Sequence, residues 1–256
     1  MSTRTTYPMN ISDPAFHLAV PLELPHDEVQ LWRLDLESLA AGEQRWQQLL
    51  SPDERARAAR LLVSRVRQQF VSTRAALRMI LAGYLGALPS RLAFRQSAKS
   101  KPSLDAPDAE SGISFNVAHS GGVALLAFGR SREIGVDIEQ VRQNVEVEAI
   151  SRRFFSPNEQ DQLAAVTDDK FEAFFRCWTR KEAYIKAIGE GLWLPLNQFD
   201  VCVAAGSQNA LLATRPDGSE AARWSLREVA AGPGYVAALC AAGCNFRLRS
   251  WNGSES

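Results

Sequence analysis

Long hydrophobic runs are missing from this chain: no apolar stretch approaches the roughly 18 residues that a membrane-spanning helix needs. No charged-then-apolar leader opens it, so a soluble, cytoplasmic protein with no membrane partner is expected. Cysteine is scarce. The four present, Cys177, Cys202, Cys240 and Cys244, lack metal-ligand spacing and read as reduced thiols. Net charge is absent as well, because 29 Lys and Arg balance 29 Asp and Glu, which argues against a general grip on nucleic acid. What remains is an ordinary globular composition, 46% hydrophobic and 23% charged over 256 residues. That length allows one large domain or two of about 120 residues.

The informative stretch runs from Gly135 to Lys186. Ile134-Gly135-Val136-Asp137-Ile138-Glu139 alternates apolar and acidic residues and reads as a strand. Asp137 and Glu139 share one face, roughly 7 Å apart along it. Carboxylates that close raise each other's pKa unless a cation lies between them. Trp178-Thr179-Arg180-Lys181-Glu182-Ala183-Tyr184-Ile185-Lys186 reads as helix. At about 100° per residue, Phe171, Phe175, Trp178, Glu182 and Ile185 fall within roughly 80°, so Glu182 interrupts an apolar stripe. A carboxylate there needs a partner or a metal. Taken singly, the acidic pair reads as a solvated sheet face, and Glu182 with Lys186 as an i, i+4 helix pair worth about 0.2–0.5 kcal/mol. The stripe argues against both. Three acids converging on a divalent cation, with Lys186 at the edge, is the expectation.

The chain also repeats itself. Ser51-Pro52-Asp53-Glu54 and Ser156-Pro157-Asn158-Glu159 are both helix starts, with serine as cap and proline at the first helical position. Thr73 to Gly83 parallels Thr179 to Gly189, and Gly122 to Ala127 parallels Gly234 to Leu239, giving offsets of 105, 106 and 112 residues. Two copies of a helix-plus-sheet unit imply an internal pseudo-dimer with a cleft between its halves. Glu182 and Lys186 then fall opposite Ala76 and Ile80, so the acids belong to the second copy. The first copy carries seven arginines and no acid from Arg55 to Arg78, then Lys99 and Lys101, then His119 in a glycine-containing loop. One half would grip an anion and the other a metal, the arrangement a polyphosphate ligand requires.

Gly135-Val136-Asp137-Ile138-Glu139, followed some 40 residues on by Trp178 to Lys186, resembles the paired signature of the 4'-phosphopantetheinyl transferases. The match is to the larger, surfactin-synthetase-activating (Sfp-like) type, with support from Lys101-Pro102 and Phe115-Asn116-Val117-Ala118-His119-Ser120-Gly121. The resemblance covers roughly residues 30 to 242. It implies transfer of the phosphopantetheine arm of coenzyme A to a serine of an apo carrier protein, with release of adenosine 3',5'-bisphosphate. Asp137, Glu139 and Glu182 would coordinate Mg2+. Glu182, or water on the metal, would draw the serine proton, and Lys186 would stabilise or protonate the leaving phosphate. Arg57, Arg65, Lys99, Lys101, Asn116 and His119 would lie at the coenzyme. The family usually has Ser where this chain has Ala118, so a hydroxyl contact is lost or supplied by Ser120 or main-chain N–H groups, at about 1 kcal/mol.

The expected fold is α+β, a pseudo-twofold duplication of an antiparallel-sheet-plus-helix unit. The halves would run over 20–130 and 131–247, joined near Ser131, with flexible tails at 1–19 and 248–256. An internal pseudo-dimer needs no second chain, so a monomer is expected. A Mg2+-dependent nucleotide phosphohydrolase is the alternative reading of the same residues. A module that binds coenzyme A or carrier without turnover is a third, and the full set of acids argues against it.

Overall fold

The computed structural model describes residues 22–40, 42–96, 101–189, 194–207 and 209–252. The expected tail at 1–19 and Lys99 lie outside them. The first half runs β1 (Glu28–Asp35), α1 (Leu36–Ala40), α2 (Glu43–Leu49), α3 (Pro52–Ala59) and α4 (Ser64–Leu85). It continues with β2 (Phe94–Gln96), β3 (Pro102–Leu104), β4 (Ile113–Ser120) and β5 (Val123–Arg130). The second half runs β6 (Ile134–Gln140), α5 (Val147–Phe154), α6 (Pro157–Ala164) and α7 (Lys170–Ile188). After α7 come β7 (Phe199–Val201), β8 (Leu211–Thr214), β9 (Trp224–Glu228), β10 (Tyr235–Ala242) and β11 (Arg247–Asn252). Among the described residues no helix is long and apolar enough to cross a membrane.

The strands form two main sheets, ordered β11-β1-β5-β4 and β6-β10-β9. Both faces of each are apolar, which gives four layers. Trp32, Leu34, Leu126 and Phe128 pack against α4, while Val29, Leu31, Leu125 and Ala127 face the other sheet. There they meet Val136, Ile138 and Leu239, whose neighbours Val236, Ala238 and Cys240 pack towards α7. The order is therefore helix, sheet, sheet, helix. The chain passes from one sheet to the other at Ser131, which adopts a φ of 49°.

The halves are copies. The sheet orders β1-β5-β4 and β6-β10-β9 correspond strand for strand. Capping boxes open α3 and α6, with Ser51 and Glu54 in one and Ser156 and Glu159 in the other. Both long helices end on a left-handed glycine, Gly86 at φ 63° and Gly189 at φ 72°. Each capping glutamate holds a buried cation of the long helix. Glu54 takes Arg78 at 2.6 Å, and Glu159 takes Lys181 at 2.7 Å. Those cations in turn donate to carbonyls of the turn that follows, Pro89 and Leu92 for Arg78, Leu196 and Phe199 for Lys181.

These pairings correct the phase of the repeat. Arg78 corresponds to Lys181 and Gly86 to Gly189, an offset of 103 rather than 106 across the long helices. Glu182 then lies opposite Met79 and Lys186 opposite Gly83. The slip is one turn of helix, which the apolar period alone does not resolve. The expected tail at 248–256 is corrected too. Its residues up to Asn252 belong to β11, which pairs in parallel with β1, Glu28 opposite Arg247 and Trp32 opposite Trp251. The two indole rings stack at 5.4 Å, and burying them drives the pairing.

Candidate active site

β6 and α7 lie against each other because residue 135 is glycine: a Cβ there would overlap the Ala183 carbonyl oxygen and the Ala187 nitrogen. The alternation of β6 then decides what faces α7. Ile134, Val136 and Ile138 enter the layer between the sheets. Gly135 and Asp137 turn to α7, with Glu139 next on that face. Asp137 is buried, and its Oδ1 accepts from Lys186 Nζ at 2.6 Å. Its Oδ2 is buried without a hydrogen-bond partner.

Burial is the main force pushing the Asp137 carboxyl up to about 7. Lys186 opposes the rise, while Glu182 and Glu139 add repulsion. The Glu182 carboxyl is also raised, by desolvation first, with Glu139 adding to it and Lys186 opposing. The three acids therefore sit within electrostatic reach of one another across the β6–α7 contact. They do not form a ready-made cage: among the described residues no three His, Cys, Asp or Glu side chains are grouped closely enough to hold a metal ion. Lys186 occupies Asp137, and Ser120 donates to Glu139 Oε2 at 2.8 Å.

The apolar stripe of α7 is buried only in part: Phe175 and Ile185 are buried, while Phe171, Trp178 and Glu182 are half-buried. The fully buried positions include Cys177, Arg180 and Lys181. Arg180 donates to the Cys202 and Ala204 carbonyls and to Glu228, so α7 is covered on the side away from β6 as well. Sequence periodicity misses this, because cations satisfied by carbonyls behave as core residues.

His119, at the end of β4, is exposed at its rim. Its imidazole pKa is nevertheless lowered, by desolvation first and by the Lys186 ammonium second, with Glu139 opposing. The turn after it is held from both halves: Gln69 Nε2 donates to the Gly121 carbonyl at 2.6 Å, and Gly122 N donates to the Tyr235 hydroxyl at 3.1 Å. Nothing in the spacing of Gln69 and Tyr235 announces this. Ala118 is buried between the sheets.

The basic residues divide. Arg57 lies over the Phe70 ring at 5.2 Å and, with Arg60, Arg74 and Phe94, lines a cleft of about 760 Å3. Arg65 points elsewhere, to Glu37 at 3.0 Å. Lys101 Nζ donates to the Ile134 and Lys186 carbonyls, each at 2.8 Å, and to Ala187 O at 3.4 Å. Burial lowers its pKa to about 8. Asn116 is buried, and its Oδ1 accepts from Val136 N at 2.9 Å. A second cleft, of about 470 Å3, lies between the halves, lined by Lys101, Ser103 and Phe115 on one side and Ala187 and Gly189 on the other. The two clefts meet at Pro102.

Duplicated lobes, an acidic cluster across the β6–α7 contact and a cleft between the halves are the features against which the chain is set beside known proteins. The sequence model of the 4'-phosphopantetheinyl transferase superfamily matches residues 133–240. The chain is 38% identical over 232 residues to the 4'-phosphopantetheinyl transferase HetI of Nostoc sp., covering 90% of this chain and 94% of that protein. It is 32% identical over 205 residues to the 4'-phosphopantetheinyl transferase Sfp of Bacillus subtilis, covering 79% and 87%. Identity to the human L-aminoadipate-semialdehyde dehydrogenase-phosphopantetheinyl transferase is 28% over 160 residues, 59% of this chain and 52% of that protein. The chain belongs to the 4'-phosphopantetheinyl transferase superfamily. It is a transferase of that class with the α+β fold described above.

Proposed function

We propose that this chain moves the 4'-phosphopantetheine arm of coenzyme A onto a serine of an apo carrier protein, with Mg2+ as resident cation and adenosine 3',5'-bisphosphate as the released product. The observation that carries the reading is Asp137: a buried carboxylate with an orphaned Oδ2, electrostatically coupled to Glu139 and Glu182. An unpaired buried carboxylate oxygen is costly unless a cation or donor completes it. Three carboxylates are hard oxygen donors of the kind Mg2+ takes. Asp137, Glu139 and Glu182 would hold it, and it would neutralise charge on the pyrophosphate and polarise the phosphoryl group under attack.

The remaining chemistry belongs to side chains of this chain. The Glu182 carboxylate accepts the proton of the carrier serine, and its raised pKa makes it a better base than an exposed glutamate. The serine oxygen forms its bond to the β-phosphorus as the bond from that phosphorus to the bridging oxygen breaks. Lys186 Nζ, held beside Asp137, offers charge or a proton to the departing phosphate. Arg57, Arg60 and Arg74 provide cationic density for the nucleotide phosphates where the basic cleft meets the inter-lobe cleft. His119, within electrostatic reach of Lys186 and Glu139, adds a group that can meet a phosphate on the acidic side. Both lobes come from one chain, so one copy supplies the whole arrangement.

The test is incubation of the purified protein with coenzyme A, Mg2+ and a panel of apo carriers. A mass gain of about 340 Da on the carrier, the mass of the arm, is expected. Free phosphopantetheine with unmodified carriers would overturn the assignment.

A further inference from the structure

Among the described residues β6 is an edge strand: it pairs with β10 alone, and no strand pairs with its other edge. Backbone groups flanking the strand at odd-numbered positions turn towards β10, as Ala242 N to Glu133 O and Val141 N to Gly234 O show. The groups of 134, 136 and 140 turn the other way, to β4 and β3 of the first lobe. Among the described residues no backbone ladder joins β6 to β4. Side chains take its place. Lys101 Nζ donates to Ile134 O at 2.8 Å, Asn116 Oδ1 accepts from Val136 N at 2.9 Å, and Ser120 Oγ accepts from Gln140 N at 3.1 Å.

The same three residues tie to the elements that carry the acids. Ser120 donates its hydroxyl hydrogen to Glu139 Oε2 at 2.8 Å. Asn116 bonds the residue before Asp137. Lys101 bonds the carbonyl of Lys186 at 2.8 Å and that of Ala187 at 3.4 Å, so it joins β6 to the last turn of α7. One cation from the first lobe thus touches both elements of the second lobe that carry the acids and Lys186. The bonds are short-range and directional, and those to Ile134 O and Val136 N satisfy main-chain groups buried in the seam.

We infer that Lys101, Asn116 and Ser120 form an inter-lobe clasp: they are positioning residues that finish the open edge of β6 and set where Asp137 and Glu139 stand relative to Lys186, rather than ligands of the coenzyme phosphates. This deepens the transfer reaction proposed above and rests on it for its kinetic arm alone. The clasp is made entirely of this chain's own residues, so it makes a prediction that coenzyme contacts do not.

The test compares Asn116→Ala, Ser120→Ala and Lys101→Met with wild type by three measurements. Amide hydrogen exchange is read first, in the ligand-free protein: loss of the acceptor should speed exchange about fivefold or more at Val136 in Asn116→Ala and at Gln140 in Ser120→Ala. Coenzyme A affinity is titrated directly without carrier and should stay within about threefold of wild type, while kcat for carrier labelling falls about tenfold and the half-saturating Mg2+ concentration rises. Unchanged amide protection, or a tenfold loss of coenzyme affinity at constant kcat, would overturn the clasp. Should Asn116→Ala fail to fold, Ser120→Ala at the exposed end of the strand reads the same effect at Gln140. If wild type labels no carrier, the proposed function falls, while the exchange measurement still decides the clasp.

Discussion

Lys186 Nζ and Asp137 Oδ1 stand 2.6 Å apart, one on the last turn of α7 and the other in the middle of β6. The pair spans the contact that Gly135 makes possible. It explains how a carboxylate so deeply placed is tolerated within the fold. Ionised Asp137 is opposed by burial and by two neighbouring acids, and Lys186 is its compensating charge among the causes of its shift. Replacing Lys186 by Met should raise the Asp137 carboxyl further and reduce labelling of a carrier about a hundredfold or more, read by single-turnover kinetics.

A pH dependence of stability follows from Asp137. Its carboxyl titrates near 7 in the fold against 3.8 as a free side chain. Between those values the folded state binds more protons than the unfolded one, so this residue makes stability fall as pH rises. The loss grows from about pH 4 and is complete above about pH 7. With a chelator present, Asp137→Asn should melt several degrees above wild type at pH 8, with a gain of a few kcal/mol at most, and should match it near pH 4. Equal melting temperatures at both pH values would contradict the burial of an ionised carboxylate.

Metal addition should act in the opposite sense. Mg2+ at millimolar concentration should raise the melting temperature of wild type, because a ligand of the folded state alone stabilises it. Asp137→Ala and Glu182→Ala should fold, lose this increment, and transfer the arm orders of magnitude more slowly. Labelling at the wild-type rate by either variant would remove these residues from the site.

Gly135 offers a purely steric prediction. An alanine would drive its Cβ into main-chain atoms of Ala183 and Ala187, which cannot swing away as a side chain would. Gly135→Ala should cost about 1–3 kcal/mol or more in urea unfolding. Activity should fall further than stability explains, because the displaced pair of elements carries the acids.

Lys181 and Glu159 are both fully buried, 2.7 Å apart. Lys181→Met alone leaves a buried glutamate with one partner fewer and should cost about 3–5 kcal/mol. The double change Lys181→Met with Glu159→Gln should recover much of this, as followed by chemical denaturation. Similar losses in single and double variants would mean the pair is not coupled.

Much of this was legible in the sequence. Alternation around Asp137 and Glu139 gave both the strand and its acidic face, and the repeated Ser-Pro-x-Glu starts gave the duplication. The exact phase was not legible, since a three-residue slip along an amphipathic helix preserves the apolar face; the cation held by each capping glutamate and the left-handed glycine that ends each long helix distinguish the registers. Lys101 and Asn116 were recognisable as important but not by role. A lysine two residues past Lys99 looks like an anion ligand, and only the fold shows its Nζ among carbonyls. Gln69 and Tyr235, which steady the turn after His119, carry no local signal because they arrive from opposite halves.

β11 gives the first lobe its outermost strand out of the last stretch of the second. Arg247 reaches Asp27 across 220 residues of intervening chain. The two halves are therefore interlocked rather than merely adjacent: severing the chain at Ser131 would leave the amino-terminal piece with an open sheet edge and Trp32 stripped of its stacking indole. Duplication has become dependence: the first lobe cannot reach its mature form until the ribosome has delivered the last strand of the second.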